Sequence, residues 1–158
     1  MQFSLSTEYA IHSLIYLALQ PKGKVTLVSK VARAQGVSET YLAKVFQQLA
    51  KAGVVISYRG AKGGFALARP PSEISLRQIV AAIEVEAPLF RCLEDRRNCA
   101  LGDDCEIRSV MNRVEAVMWD MLEQTKLSDL IEGLRPRKEK ARWLTQLLAQ
   151  SQGEKEKN

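Results

Sequence analysis

Residues 36–64 read GVSETYLAKVFQQLAKAGVVISYRGAKGG and hold the signals for a helix, its end and a hairpin. Ser38 is a preferred N-cap, and Val37 and Leu42 stand at the two positions of a hydrophobic staple. Apolar residues then recur at helical spacing until Gly53, a natural C-terminal stop. The pattern predicts a helix that begins after Ser38 and ends near Gly53.

A helix-turn-helix is predicted when the preceding residues are added. Thr26 is the candidate cap of a short second helix, whose apolar positions end before a turn at Gln35-Gly36. Two short helices joined by a tight turn that contains glycine form a helix-turn-helix. A first helix is predicted upstream, with Ser6 or Thr7 as its cap and a stop near Pro21.

The two segments after the third helix are strand-like and flank a glycine-rich tip. Residues 54–58 read VVISY, residues 65–68 read FALA, and the tip between them holds three glycines with Arg59 and Lys62. Glycines let a backbone approach its ligand closely, and the two cations can meet phosphates or enter a minor groove. A nucleotide-binding loop is the alternative, but the P-loop spacing is absent and no helix is predicted to follow. The pattern favours a DNA-binding wing.

Charge is divided unevenly along this chain of 158 residues, whose formal net charge is +5. Residues 22–69 contain nine Lys or Arg and one acidic residue, whereas residues 70–134 contain seven basic and thirteen acidic residues. A uniformly basic segment indicates a polyanionic partner, because each neutralised phosphate releases counterions. The first half therefore predicts binding to double-stranded DNA, through the start of the third helix and the wing. The candidate contacts are Ser38, Thr40, Tyr41, Lys44, Arg59 and Lys62.

The residues from 71 onward predict a helix, a cysteine loop and a long apolar stripe. Ser75 and Gln78 form a capping box that opens the helix, and all three cysteines of the chain fall within residues 92–105. Apolar residues then recur at helical spacing over four turns. Because this stripe lies outside the compact head, it predicts a helix that pairs two copies of the chain. Its candidate contacts are Val110, Met111, Val114, Val117, Met118 and Met121.

The predicted fold is mostly α-helical with a small β-hairpin wing. Residues 1–70 are expected to form a winged helix-turn-helix head, and residues 71–132 the linker helix, cysteine loop and dimerisation helix. Residues 133–158 read as a charged tail, partly helical or disordered. A two-fold dimer of such heads reads a palindromic operator. The odd number of cysteines and the lack of a visible signal peptide or membrane span predict a reducing, cytoplasmic setting.

The three cysteines are spaced C-x6-C-x5-C, and so many thiols in one short loop indicate a soft-metal site. Zinc sites prefer ligand pairs roughly two to four residues apart, and the one histidine, His12, is distant in sequence. An iron–sulfur cluster tolerates wider spacing and fits better. Zinc and cluster-free redox thiols stay as alternatives. No Ser-His-Asp, Cys-His or paired-carboxylate arrangement is visible in the sequence. We therefore expect that the protein is not an enzyme.

Four pieces of the sequence, taken in order, point to one family. They are LSTEYAIHSLIYLA (residues 5–18), GVSETYLAKVFQQLAKAGVV (36–55), YRGAKGGFALARP (58–70), and three cysteines before a long helix that ends in LSDLIE (127–132). With these pieces, about residues 1–132 resemble the bacterial iron–sulfur winged-helix regulators typified by IscR, NsrR and RirA. Each piece is moderately specific, and their order makes the resemblance strong.

The resemblance implies a homodimeric repressor, in some members an activator, with a 2Fe–2S or 4Fe–4S cluster on Cys92, Cys99 and Cys105. In some members of the family the fourth ligand is a carboxylate from near the N-terminus of the other subunit, at the position matched by Glu8. The alternative for Glu8 is a purely structural role, because the helix dipole alone favours an acidic residue in the first turn of a helix. The wing arginine that enters the minor groove in the family corresponds to Arg59. The implied signal is iron, nitric oxide or redox state.

Two positions depart from the IscR branch of this family. Arg108 stands where IscR-type proteins have a histidine ligand, and Ala43 stands where they have a glutamate in the recognition helix. Lys44 and the glycine-rich wing look more like the branches that respond to nitric oxide and iron. Two alternatives to a cluster-sensing regulator stay open. One is a DNA-binding regulator with cluster-free redox thiols, and the other is an iron–sulfur electron-transfer or cluster-delivery protein that does not bind DNA.

Overall fold

A computed structural model describes residues 3–60, 63–84, 105–134 and 145 of the chain. The predicted class is confirmed, because helices surround one two-stranded antiparallel hairpin in these residues. The elements are α1 (Leu5–Ala18), α2 (Val28–Gln35), α3 (Glu39–Lys51), β1 (Val55–Tyr58), β2 (Gly64–Leu67), a 3₁₀ turn (Pro71–Glu73), α4 (Leu76–Ile83), α5 (Glu106–Gln124) and α6 (Leu127–Leu134). Cys92, Cys99, Lys62 and the predicted tail from residue 135, apart from Thr145, lie outside the described residues.

The third helix, α3, begins and ends where its local sequence predicts. Ser38 is the N-cap residue, and its Oγ accepts a hydrogen bond from the Tyr41 backbone N–H at 3.2 Å. Gly36 closes the turn from α2 with a left-handed φ of 68°, which costs glycine little. At the far end, the Val54 N–H donates to the Leu49 carbonyl at 2.9 Å and closes the helix.

The capping box predicted for α4 is present in full. Ser75 Oγ accepts from the Gln78 N–H at 3.3 Å, and Gln78 Oε1 accepts from the Ser75 N–H at 3.1 Å. Ser75 Oγ also donates to Glu123 Oε2 at 3.0 Å, near the end of α5. The Leu127 N–H donates to the Ile74 carbonyl at 2.9 Å. The start of α4 is therefore joined to the end of α5 and the start of α6.

The predicted cap of α1 is wrong. This helix begins at Leu5 with Ser4 in the N-cap position, rather than after Ser6 or Thr7. The Thr7 hydroxyl is buried and donates to the Glu84 carboxylate. Because this hydroxyl binds a residue distant in sequence, it does not cap the helix.

The predicted cap of α2 is also wrong, because Leu27 and not Thr26 is the N-cap residue. Thr26 pairs its backbone with Phe65 of β2, and the two N–H···O=C distances are both 2.9 Å. Gly64 makes this pairing possible: its φ is +150°, and a Cβ there would lie 2.3 Å from the Thr26 carbonyl oxygen. The loop before α2 therefore lies against the base of the wing.

The hydrophobic core lies between α1, α2, α3, α4 and α6. The rings of Phe46 in α3 and Phe65 in β2 stack with centroids 4.7 Å apart, which holds the hairpin against α3. Leu127 is fully buried, and Leu130 and Ile131 pack on the same core, so α6 contributes to the core together with the helices of the head. The largest fully buried side chains are Tyr16, Phe46, Leu14, Leu42, Leu49, Ile74, Ile79 and Leu127.

Candidate DNA-binding surface and cysteine segment

The outer face of α3 carries polar side chains near the helix start. Ser38, Thr40 and Lys44 are exposed, as the DNA-binding prediction requires. The inner face holds the buried residues Leu42, Val45, Phe46 and Leu49. Gln47 is exposed three residues after Lys44 and shares its face, although the sequence analysis did not single it out. The face thus offers a hydroxyl, a cation and an amide that can contact base edges or phosphates.

Tyr41 lies at the contact between α3 and α1. Its hydroxyl is 2.7 Å from Ser6 Oγ, and its ring meets the Tyr9 ring edge-on with centroids 5.9 Å apart. About a third of the side chain is exposed, at 36%. The position of the recognition helix is therefore tied to the first turn of α1.

The wing extends from a well-packed base. Strands β1 and β2 pair in antiparallel register from Val55 with Leu67 to Tyr58 with Gly64, and Arg59 follows at the exposed tip. At the tip, the Gly63 N–H donates to the Gly60 carbonyl at 2.8 Å. The arginine predicted to contact DNA is thus held by a short hairpin.

We call residues 85–104 the cysteine segment. Glu84 is the last described residue before this segment, and its side chain binds the start of α1. Glu84 Oε1 accepts hydrogen bonds from the Ser4 N–H at 2.7 Å, from Ser4 Oγ at 2.8 Å and from the Thr7 hydroxyl. Burial raises the pKa of Glu84, but the hydrogen bonds from Thr7 and Ser4 together outweigh it, so the pKa lies below its ordinary value. Sequence alone gave no signal for this residue, because its partners are 77 and 80 residues away.

Cys105 and Glu8 are the two predicted cluster ligands that the structure describes. Cys105 is a half-buried free thiol in the N-cap position of α5. Glu8 is exposed in the first turn of α1, and its charge raises the pKa of His12, although burial of the imidazole is the larger effect and lowers that pKa overall. Among the described residues, no group of three or more His, Cys, Asp or Glu is placed to hold a metal ion. Cys92 and Cys99 lie outside those residues.

Helix α5 presents apolar side chains on two sides. Towards the head, Trp119 lies under the Arg77 guanidinium of α4, with 5.5 Å from the guanidinium carbon to the ring centroid. On the outer side, five apolar residues spaced alternately by three and four are between 38% and 69% exposed. They are Ile107, Val110, Val114, Val117 and Met121. We call these five residues the outer stripe; the predicted contacts Met111 and Met118 are half-buried beside it.

These features define a winged helix-turn-helix transcriptional regulator. They are a capped recognition helix, the helix and turn before it, and a basic hairpin packed on the same core. The model of the Rrf2 family, described as an iron-dependent transcriptional regulator, matches residues 3–133. The chain belongs to the Rrf2 family.

Similar proteins agree with this assignment. The HTH-type transcriptional regulator NsrR of Shouchella clausii (strain KSM-K16) is 35% identical over 132 residues, which cover 83% of this chain and 89% of the relative. The solved structure of T. potens IscR matches with a TM-score of 0.65 at 25% identity, over 87% of this chain and 90% of that one. The oxidized form of Staphylococcus aureus CymR matches with a TM-score of 0.65 at 26% identity, over 84% of this chain and 97% of that one. The bacterial winged-helix assignment is thereby confirmed.

The helices in the described ranges differ from membrane-spanning segments. None of the helices there combines the length and the apolar character that crossing a bilayer requires.

The Glu84 contact predicts a specific pH dependence of stability. The folded-state pKa of Glu84 is lowered, so its carboxylate stabilises the fold at neutral pH, and this contribution is lost as the pH falls through and below the usual range of a glutamate. Glu84→Gln should therefore have a lower free energy of unfolding than wild type near pH 7. The difference between the two proteins should shrink towards pH 3.5, measured by urea denaturation at one protein concentration.

Glu73→Gln is the matched control, because Glu73 is exposed in the 3₁₀ turn. A Glu84→Gln variant whose deficit is equal at all pH values would contradict the assigned role of the charge.

Proposed function

We propose that this chain is a cluster-sensing transcriptional repressor that binds a palindromic DNA operator as a homodimer in the cytoplasm. The observation that carries the proposal is the position of the two residues that flank residues 85–104. Glu84 is hydrogen-bonded to the start of α1, which contacts the recognition helix, and Cys105 begins α5. A change in the cysteine segment therefore bears on both the DNA-binding head and the candidate dimer helix.

The proposed DNA contacts follow from exposure and charge. The start of α3 is expected to enter the major groove with Ser38, Thr40, Tyr41 and Lys44, since the N-terminal turns of a recognition helix contact base edges. Arg59 and Lys62 of the wing supply cations for phosphates or the minor groove. The Tyr41 hydroxyl shares one hydrogen bond with Ser6 Oγ and keeps capacity for another, and its ring is partly exposed.

The proposed cluster ligands are Cys92, Cys99 and Cys105, with Glu8 as the fourth ligand. Thiolates suit iron–sulfur clusters, either 2Fe–2S or 4Fe–4S, and the family description is iron-dependent. The described donors fit this group, because Cys105 is a free thiol and Glu8 an exposed carboxylate. A bound cluster would make the protein responsive to iron availability, nitric oxide or oxidants.

The proposed route from the cysteine segment to DNA runs through α1. The Glu84 carboxylate holds Ser4 and Thr7, and one turn of the same helix presents Ser6 to the Tyr41 hydroxyl. Ordering or releasing residues 85–104 would change the hold of Glu84 on α1 and thereby the position of α3. The energy needed is small, because about 1.4 kcal/mol changes DNA affinity tenfold.

Dimerisation is proposed through the outer stripe of α5. Its spacing of three and four repeats over two heptads, which is the pattern of a seam between paired helices. A contiguous apolar face of this kind marks an interaction surface. The two-fold relation between two such chains would place two recognition helices on the halves of a palindrome.

The DNA contact at Lys44 is tested by charge removal within one helix. Lys44→Ala should weaken duplex binding by about tenfold and reduce the salt dependence by about one phosphate contact. Arg59→Ala should act similarly from the wing. Binding is measured by fluorescence anisotropy at several salt concentrations.

Lys51→Ala is the control, because Lys51 is exposed in the last turn of the same helix and carries the same charge. Equal losses in Lys44→Ala and Lys51→Ala would contradict a contact centred on the helix start. A wild-type protein that binds no duplex would favour the electron-transfer or cluster-delivery alternative.

The cluster is tested by oxygen-free purification with iron, sulfide and visible-absorption analysis. Wild type should contain iron and inorganic sulfide, and Cys92→Ala, Cys99→Ala and Cys105→Ala should each lose the visible spectrum while the dimer persists. Ser109→Ala, an exposed position on the first turn of α5, should keep both. A Cys→Ala variant that retains the full spectrum would remove that residue from the ligand set.

A second candidate is a regulator that uses the cysteines as redox thiols without a cluster. It is favoured by the half-buried free thiol of Cys105 and by the similarity to the oxidized form of Staphylococcus aureus CymR. It would be preferred if oxygen-free wild type contained no iron and its DNA affinity nevertheless changed with a thiol oxidant.

The dimer is tested by placing a charge in the outer stripe. Val114→Glu should convert the protein to a monomer at micromolar concentration, because an unpaired carboxylate at an apolar seam is costly to bury. Asn112→Glu adds the same charge at an exposed position of α5 outside the stripe and should leave the dimer intact. Sedimentation equilibrium distinguishes the two, and a dimeric Val114→Glu would place the interface elsewhere.

A further inference from the structure

A cavity with a strongly basic wall lies beside the base of the wing, apart from the candidate DNA contacts named above. It has a volume of about 480 Å³ and is bounded by α1, the loop before α2 and α2 itself. Lys24, Lys30 and Arg33 line it, and no acidic side chain is among the described residues that do so. Lys24 Nζ donates to the neutral amide of Gln20 at 3.3 Å, so that contact leaves its charge uncompensated.

The Thr26 hydroxyl is a polar group in this wall that lacks a partner. Thr26 is 5% exposed, it lines the cavity, and its Oγ1 forms no hydrogen bond with any described residue. Its backbone is fixed, because both its N–H and its carbonyl pair with Phe65 at 2.9 Å. Buried hydroxyls in folded proteins nearly always have a partner, so an unsatisfied hydroxyl on a residue that lines a cavity points to an acceptor from outside the chain.

The N-terminus of α2 opens on the same cavity. Leu27, the N-cap residue, offers no side-chain cap, and Ser29 and Lys30 of the first turn line the cavity. Uncapped N–H groups and the positive end of the helix dipole favour an anion there. The cations, the hydroxyl donor and the helix end are thus three independent features that suit the same ligand chemistry.

We propose that this cavity binds a phosphate group, with Thr26, Lys24 and Arg33 as its principal side-chain contacts. A phosphate offers acceptor oxygens for the hydroxyl and the guanidinium, together with negative charge for the lysines. Its source is either a backbone phosphate of duplex DNA or a free phosphorylated molecule. Since Thr26 is paired with β2, a phosphate in either form would lie against the base of the wing.

The first arm of the test uses inorganic phosphate alone and needs neither DNA nor iron. The thermal unfolding midpoint of the full-length protein is measured in potassium phosphate and in potassium chloride of equal ionic strength. Phosphate should raise the midpoint of wild type by a few degrees more than chloride does, since a ligand of the folded state stabilises it. The response should be lost in Thr26→Val and reduced in Lys24→Ala.

Two features of this arm separate binding from folding effects. Thr26→Val removes an unpartnered hydroxyl, so its midpoint in chloride should equal or exceed that of wild type while its response to phosphate disappears. Lys22→Ala removes the same charge from the same loop at a residue that does not line this cavity, and it should respond like wild type.

The second arm identifies the source of the phosphate by duplex binding in phosphate-free buffer. If a DNA phosphate occupies the cavity, Thr26→Val and Lys24→Ala should weaken binding by about threefold to tenfold, and Lys22→Ala should not. If a free phosphorylated molecule occupies it, both variants should bind duplex like wild type and only the first arm should respond. The site is overturned if phosphate acts no differently from chloride on wild type and both variants bind duplex normally.

Discussion

The stacked rings of Phe46 and Phe65 set the distance between the recognition helix and the wing. Their centroids are 4.7 Å apart with an angle of 24° between the ring planes, and each ring comes from a different element of the candidate DNA-binding surface. Such a pair contributes about 0.5–1.5 kcal/mol beyond the area it buries. Phe65 also pairs its backbone with Thr26, so the loop before α2 joins the same unit. The head can therefore meet a duplex as one packed surface.

Two polar contacts hold the helices on the two sides of the cysteine segment. Glu84 binds the start of α1 through three hydrogen bonds, and Ser75 binds Glu123 near the end of α5. Both involve carboxylates, which form the stronger class of hydrogen bond. The Glu84 contact leads towards α3 through Tyr41, whereas the Ser75 contact leads towards α4 and α6. The Glu84 contact thus joins the residue before the cysteine segment to the head, and the Ser75 contact joins α4 to α5 on the two sides of that segment.

Sequence reasoning succeeded where the partners of a residue lie within one helical turn. The caps at Ser38 and Ser75 were predictable because each contacts a backbone N–H three residues later. The caps at Ser6 or Thr7 and at Thr26 were mispredicted, because Glu84 and Phe65 use Thr7 and Thr26 in tertiary contacts. Periodicity identified the apolar positions of α5, but it could not separate those that face α4 from those that face outward. That division depends on packing between elements distant in the chain.

Cys105 is at once the proposed sulfur ligand and the N-cap residue of α5, so no flexible tether separates the two roles. The opposite end of α5 is held to α4 by the Ser75 contact. A helix of 19 residues is about 28 Å long. Pivoting about its held end by about 5° would displace Cys105 by about 2.5 Å, which is half a helical turn. Because the thiol lies at the far end of a long helix, a small rotation at the contact with α4 would move it much further than the atoms at that contact.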